Sequence, residues 1–499
     1  MMKTIKNYST VILRASLLSC LLLCGTACRK NLLEPTNITN ISDANAFDNA
    51  TRIVAQINGL YASLKSGSFY GGRLIIYNEL RGDEFIMNKP NIVTGQQTWL
   101  QAVNSSTSEV VSLWSAGYAT INSVNTFLDG LALNQSKITT AQYANFTGEA
   151  KFIRALCYFA LVQTYAQPYT LNGGTSLGLP LRLIAESSNA NNQLARSSVA
   201  DVYKQILADL DASEIGLPAN YSTTILNTTR ATKNTAIALK ARVDLTKGDY
   251  AGVITECNKI VSAAAPFQAP ASGVNNKLEA NIATIFLGSY AGVESVFSLP
   301  FTATETPGTQ NQLAYYFNIS PGNGEFYLNA SGTIADPVYS SATSTDARKD
   351  LVFTNTGQKW LSKYKVASTY SDWVPVIRYA EVLLNFAEAL ARSGDVANMT
   401  KAVALLTAVR NRSDATYIFP AASIATQSAL IATILQEKKI EFLGEGFRVP
   451  DLQRLGLTLP AKSGTAGNAP AILATDNRYI WPISSAETSI NLLIVQNPQ

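Results

Sequence analysis

Residues 378–394 read RYAEVLLNFAEALARSG. With the residues just before it, this stretch predicts a helix over 376–393, stopped by Gly394, with small side chains at Ala380, Ala387 and Ala391. A glycine past the last helical turn suits the left-handed position that closes a helix. Working outward, two more helices are predicted downstream, over 399–412 and 429–443. Upstream, apolar residues at three-to-four spacing predict helices over 43–64, 113–131, 149–166, 199–215, 233–247 and 250–263. In the 149–166 segment Phe152, Ala155, Leu156, Phe159 and Val162 form one stripe, and Gly248 closes the 233–247 segment as Gly394 closes its own.

The small residues repeat in other helices, for example Ala236 and Ala241. Small contact residues let paired helices approach closely and bury their faces against neighbours, in the manner of tetratricopeptide stacking. The expected architecture is therefore mostly α, with tetratricopeptide-like helix pairs over about 41–263 and 376–455. Residues 264–375 are rich in Gly, Pro, Ser, Thr and Asn and predict a loop-rich insertion with a few short strands, such as Ser295–Leu299. Residues 456–499 read as an irregular C-terminal segment of the same domain.

Composition narrows the chemistry. The 499 residues include no histidine, which removes imidazole acid/base catalysis, His-dependent nucleophiles and imidazole metal sites. Only five cysteines are present, three of them before residue 29, too few for a four-cysteine zinc site or an iron–sulfur cluster in the remainder. Charged residues make up 15% of the chain, against about 25% in typical proteins, so polarity rests on Ser, Thr and Asn. With 39 basic and 35 acidic residues and no basic stripe interleaved with aromatics, nucleic acid is not an expected partner. No cofactor, metal site or catalytic residue is expected.

The N-terminus reads as an address. Lys3, Lys6 and Arg14 precede a ten-residue apolar stretch over 15–24, and no acid appears before Glu34. Ten residues are too few for a spanning helix, which needs about 20, but suit a signal-peptide core. Gly25, Thr26 and Ala27 then lead into Cys28, a pattern similar to a bacterial lipobox. Residues 1–27 are thus expected to be a lipoprotein signal peptide, Cys28 the lipid attachment point and 28–40 the tether; an ordinary secretory signal is the alternative. Removing the leader takes three bases and no acid and leaves a nearly neutral chain. Cys157 and Cys257 then remain, expected as small buried thiols, with a disulfide between them as the other reading.

Several motifs converge. Gly148–Ala155 (GEAKFIRA) with Tyr158 and Phe159; Arg378–Leu384 with Ala387, Glu388 and Ala389; Val409–Arg412 (VRNR); Glu437–Glu441; Glu445–Arg448 (EGFR); Asp451–Arg454 (DLQR); and Tyr479–Ile483 with Gln496, Asn497 and Pro498 stand in that order. Trp114 with Asn122 and Asn125, Gly178–Leu181 (GLPL) and the segment from Arg196 to Tyr203 add to them. Together they resemble the SusD/RagB family of nutrient-binding outer-membrane lipoproteins across essentially the whole mature chain.

The resemblance implies four tetratricopeptide-like helix pairs, an outer-membrane and cell-surface location through an N-terminal lipid, and a SusC-like TonB-dependent transporter as partner. The ligand it implies is a glycan, or a peptide in some members. Arg29, Lys30 and Asn31 follow Cys28, whereas surface-exported members often carry acids there. Pro450 stands where an aromatic is usual and is expected as the first residue of the helix that Asp451 continues.

Within this pattern Arg378, Glu381, Glu388, Arg410, Glu441, Arg448 and Asp451 are expected to form a structural network of charge-assisted hydrogen bonds. Glu437, Glu441 and Glu445 share one helical face and are expected to answer to Lys438, Lys439 and helix ends. Glycoside hydrolysis needs two carboxyls flanking the scissile bond, about 5 to 9.5 Å apart, which leaves Asp83 and Glu84 as the better catalytic candidates. Sugar binding asks for aromatic faces bracketed by amides, carboxylates or guanidiniums on loops. Trp99 with Arg81 and Asp83, Tyr316 beside Tyr315, Phe317 and Asn318, and Trp360 fit in composition and are the candidate ligand contacts, with loop packing as the alternative reading for each ring. The leading reading is a non-catalytic, lipid-anchored protein that captures an oligosaccharide for the transporter. A peptide-capturing member, an interaction scaffold without a small ligand and a carboxylate-based glycosidase are the alternatives.

Overall fold

In the computed structural model, which describes residues 45–367 and 369–498, the helices begin where local chemistry starts them. Helix α1 (Ala50–Leu64) is capped by Asn49, whose side chain accepts from the Arg52 N–H, and it buries Ile53, Ile57, Leu60, Tyr61 and Leu64. The short helix α2 (Arg73–Leu80) follows. Two long helices come next, α3 (Ser108–Leu133) and α4 (Thr140–Tyr165), the second opened by a Thr139/Gln142 capping box. Then come α5 (Val199–Gly216), α6 (Lys233–Lys247) and α7 (Tyr250–Ile260), then α8 (Tyr379–Ser393), α9 (Val396–Ser413), α10 (Gln427–Glu441) and the short α11 (Arg448–Arg454). The expected residues 1–27, the tether 28–40 and Cys28 lie outside the described residues.

From Asn49 onward the chain forms one compact unit. From α3 to α9 each helix packs mainly on its neighbours in sequence, α3 on α4, α4 on α5, α5 on α6, α6 on α7, α7 on α8 and α8 on α9, while α10 returns to pack on α8. That succession is the stacked architecture the small residues require. Ala236, Ala241, Ala380, Ala387 and Ala391 are all fully buried. Gly216 shows how close α4 and α5 come: a Cβ there would stand 2.5 Å from the Ala144 carbonyl oxygen. Gly248 has φ +83° and closes α6 as expected.

Among the described residues, four two-stranded antiparallel ribbons decorate this body. β1 (Phe85–Met87) pairs with β3 (Phe326–Leu328), and β2 (Ser295–Leu299) with β6 (Val374–Arg378). β4 (Val352–Asn355) pairs with β5 (Gln358–Leu361), and β7 (Lys462–Gly464) with β8 (Gly467–Ala469). β6 corrects one expectation: 376–378 is strand, and α8 starts only at Tyr379. The β-branched Val374, Val376 and Ile377 take an extended path against β2. A second correction concerns Pro450, which stands at the third position of α11 rather than the first; no helical N–H is needed there either. Cys157 and Cys257 are buried free thiols, so the disulfide reading falls.

Candidate functional site

The β1–β3 ribbon brings together the two regions chosen from sequence. Beyond its paired residues, the Asn88 N–H donates to the Glu325 carbonyl (2.8 Å), its side chain to the Gly324 carbonyl (2.8 Å) and Lys89 Nζ to the Asn323 carbonyl (2.8 Å). Thr94 Oγ1 donates to Glu325 Oε2 at 2.6 Å. The loop 88–95 and the turn 318–325 therefore form one edge.

The expected contact residues lie beneath this edge rather than on it. Trp99 and Tyr316 are 0% exposed and Trp360 is 1% exposed. The Trp99 indole N–H donates to the Phe85 carbonyl at 2.8 Å, and Lys462 Nζ lies 5.4 Å from its ring. Tyr316 stacks on Phe326 with rings 2° from parallel, and the Arg73 guanidinium stands 5.8 Å from it. Trp360 meets Tyr327 edge-on at 6.0 Å, and its Cζ3 is where a Cβ on Gly324 would collide, at 2.9 Å. None of the three rings offers a face to a ligand. They form the floor that supports the ribbon, a correction with a simple cause: large apolar rings placed under short strands are drawn from water like any core residue.

Arg81 and Asp83 are corrected in the same way. Arg81 is buried, donating from Nη2 to the Tyr479 carbonyl at 2.7 Å. Asp83 takes the fork of Arg448 at 2.6 and 3.0 Å. Burial opposes the Asp83 charge, but Arg448 overcomes it and holds the carboxyl below its ordinary value. Glu84 is buried rather than solvated. Its Oε2 accepts from the Thr333 N–H at 2.7 Å, and burial together with the Asp83 charge raises its carboxyl. Asp83 and Glu84 are thus tied, through Arg448 and the Thr333 N–H, into the loop that carries β1.

What the edge does present is Tyr315. Half-buried, it accepts from Asn323 Nδ2 at 3.1 Å and Gln310 Nε2 at 3.4 Å. The Tyr370 ring meets it edge-on at 6.0 Å. Ile92 and Val93, 59% and 49% exposed, supply apolar surface on the neighbouring loop. Tyr370 sits at φ +51°, a left-handed conformation uncommon outside glycine. The combination is an aromatic step with amides at its rim, able to lie against the apolar face of a flat ring and hydrogen-bond hydroxyls around it. Of the tripeptide singled out from sequence, Tyr316 is buried and Tyr315 is the half-buried ring, and Asn323, Gln310 and Tyr370 beside it were not among the expected residues. Polar loop composition was the only signal available for those three.

Comparison with known proteins agrees with this fold. Residues 37–245 match the family described as starch-binding, associating with outer membrane, and residues 338–499 match the SusD family. A crystal structure of a SusD superfamily protein from Bacteroides fragilis is 33% identical, covers 90% of this chain and 99% of its own, and superposes with a TM-score of 0.79. The chain belongs to the SusD family. SusD-like protein P2 of Formosa agariphila is 24% identical over 93% of this chain and 95% of its own. A laminarin-binding SusD-like protein shares the fold, at 22% identity and a TM-score of 0.69 over 90% of this chain and 99% of its own.

The SusD motif residues form the structural network expected of them. Arg378 donates to Glu294 (2.6 Å), Glu441 (2.9 Å) and Glu445 (2.8 Å). Arg348, fully buried, binds Asp346 (2.6 Å), Glu437 (2.6 Å) and Glu441 (3.1 Å). Arg410 pairs with Glu437 at 2.8 Å, and Arg454 grips Glu388 at 2.7 and 2.8 Å. Burial opposes ionisation of Glu441, yet the charges of Arg412, Arg378 and Arg348 hold its carboxyl well below the usual range. The expected partners are corrected: Glu437, Glu441 and Glu445 answer to arginines and to Lys363 (2.7 Å from Glu445), while Lys438 turns to Glu388. Trp114, Asn122, Asn125 and Arg196 serve the same end. Asn125 donates to the carbonyls of Arg182 and Ile184 at 3.0 Å, and Arg196 ties Gly178 (2.7 Å) to Asn497 (2.8 Å).

Proposed function

We propose that this protein is a non-catalytic, lipid-anchored outer-membrane protein that captures an oligosaccharide on the Tyr315 edge and passes it to a SusC-like TonB-dependent transporter. Cys28 carries the lipid, and the transporter is the partner that SusD membership implies. The observation that carries the reading is the half-buried Tyr315 ring rimmed by Asn323, Gln310 and Tyr370 at the loops joined by β1 and β3. Aromatic faces bracketed by amides suit pyranose rings. A nearly neutral mature chain suits an uncharged ligand, and the laminarin-binding relative makes glucans the first probes.

Calorimetric titration with gluco-, xylo- and manno-oligosaccharides tests this. Saturable binding to at least one series is expected, and Tyr315→Ala should cost about 1–3 kcal/mol, the scale of stacking on flat ligands. Unchanged affinity in Tyr315→Ala would remove the site. Tight binding of peptides with none of any glycan would replace the glycan with a peptide.

A further inference from the structure

A second concave site lies away from the β1–β3 edge. It has a volume of about 520 Å³, within the range of small-molecule sites. One wall is the segment 336–346. The other is the loop 414–423 with the flank of α10. Two side-chain bonds tie the walls to each other: Gln436 Nε2 donates to Asp336 Oδ2 at 2.9 Å, and Thr345 Oγ1 donates to Asp414 Oδ1 at 3.0 Å. The relative position of the two walls is therefore fixed by their own side chains.

Its lining has a definite chemistry. Half-buried Tyr417 meets Phe419 edge-on at 5.0 Å, and the Arg410 guanidinium backs the Tyr417 ring at 4.4 Å. Around this aromatic corner stand the hydroxyls of Ser341, Thr343, Ser344 and Ser423. The only lining cation, Arg410, is already committed to Glu437 (2.9 Å) and Asp346 (3.3 Å), whereas Asp336, Asp346 and Asp414 all border the space. Asp346 is neutralised by Arg348 (2.6 Å) and Arg410 (3.3 Å), so an anion entering would meet the carboxylates of Asp336 and Asp414 and no uncommitted cation in the lining. A neutral polyhydroxylated ring meets what it needs, an aromatic surface and both donors and acceptors.

We propose that this cavity is a second saccharide site, taking one or two neutral sugar units of the same chain or of another. The proposal shares its ligand class with the reading of the Tyr315 edge and none of its residues. Two sites on one rigid body would favour long glycans over short ones, because the second contact is made at high effective concentration.

The test uses the full chain carrying Tyr315→Ala, titrated with laminarihexaose, maltohexaose and cellohexaose and with a sulfated counterpart of each. Saturable binding of a neutral hexasaccharide should persist, weaken by about tenfold or more when Tyr417→Ala or the cavity-filling Thr343→Trp is added, and survive Tyr417→Phe. Thr343 is exposed, so its replacement leaves packing intact. Binding in the parent chain that disappears completely with Tyr315→Ala, or residual binding indifferent to both cavity substitutions, overturns the second site and leaves the first standing. A parent chain that binds none of the neutral hexasaccharides overturns both. Tighter binding of a sulfated probe in the Tyr315→Ala chain overturns the ligand class.

Discussion

Trp99 has no open face, and its indole N–H already has a carbonyl to donate to. Its removal is therefore a packing event. Trp99→Ala should cost about 3–5 kcal/mol of stability by denaturant unfolding, whereas Tyr315→Ala, half-buried, should cost far less and act on ligand affinity. If Trp99→Ala left the unfolding midpoint unchanged, the floor described here would not exist. The contrast explains what was legible in the tripeptide Tyr315-Tyr316-Phe317. Aromatic content in a polar loop marks a region where rings are needed. Whether a given ring lies over or under the backbone depends on β3 pairing with β1, a contact that local sequence does not encode.

At the scale of elements, α6 runs over the residues its pattern predicted, because its period, start and closing glycine all act within one helix. The start of α8 differs because a strand leads straight into a helix, and β-branched residues at the junction satisfy either pattern. Helix α2 went unread: nearly all its residues are buried, which leaves no polar face to reveal a period. The charged network belongs to this scale too, since it ties α8, α9 and α10 to the insertion through Glu294, Asp346 and Arg348. Sequence marked its members as structural but could not pair them. Glu441→Gln removes a charge that faces Arg348, Arg378 and Arg412. Breaking such a buried pair costs about 3–5 kcal/mol, so a large drop in unfolding free energy is expected, with loss of the α9–α10 junction in hydrogen exchange ahead of α4. A midpoint within error of the parent would show that these ion pairs contribute nothing.

For the whole molecule, two buried groups give stability a shape in pH. Glu79 donates nothing and accepts the Gly446 N–H at 2.6 Å, and burial, then the nearby Glu84, pushes its carboxyl up to about 8 from an ordinary 4.5. Between those values the folded chain holds a proton that the unfolded chain has lost, so stability falls as pH rises through that window. Burial, then Arg81, lowers Lys462 to about 7 from 10.5, and there the unfolded chain holds the extra proton, so stability rises with pH above 7. Thermal unfolding of Glu79→Gln between pH 5 and 8 should show a flatter profile than the parent, with the variant gaining most at the alkaline end. Parallel profiles would place the neutral carboxyl elsewhere.

The ribbon that carries the Tyr315 edge has a consequence in time. Asn88 and Gly324, bonded across it, are 236 residues apart in the chain. Helical turns close locally and fast, but contacts between such distant residues must wait for the loop between them to be ordered. A nascent chain can thus possess most of its helices before it possesses the Tyr315 edge. Ligand capture would then report that folding has finished, and a bound sugar, by stabilising only the finished state, would pull the slow closing step to completion.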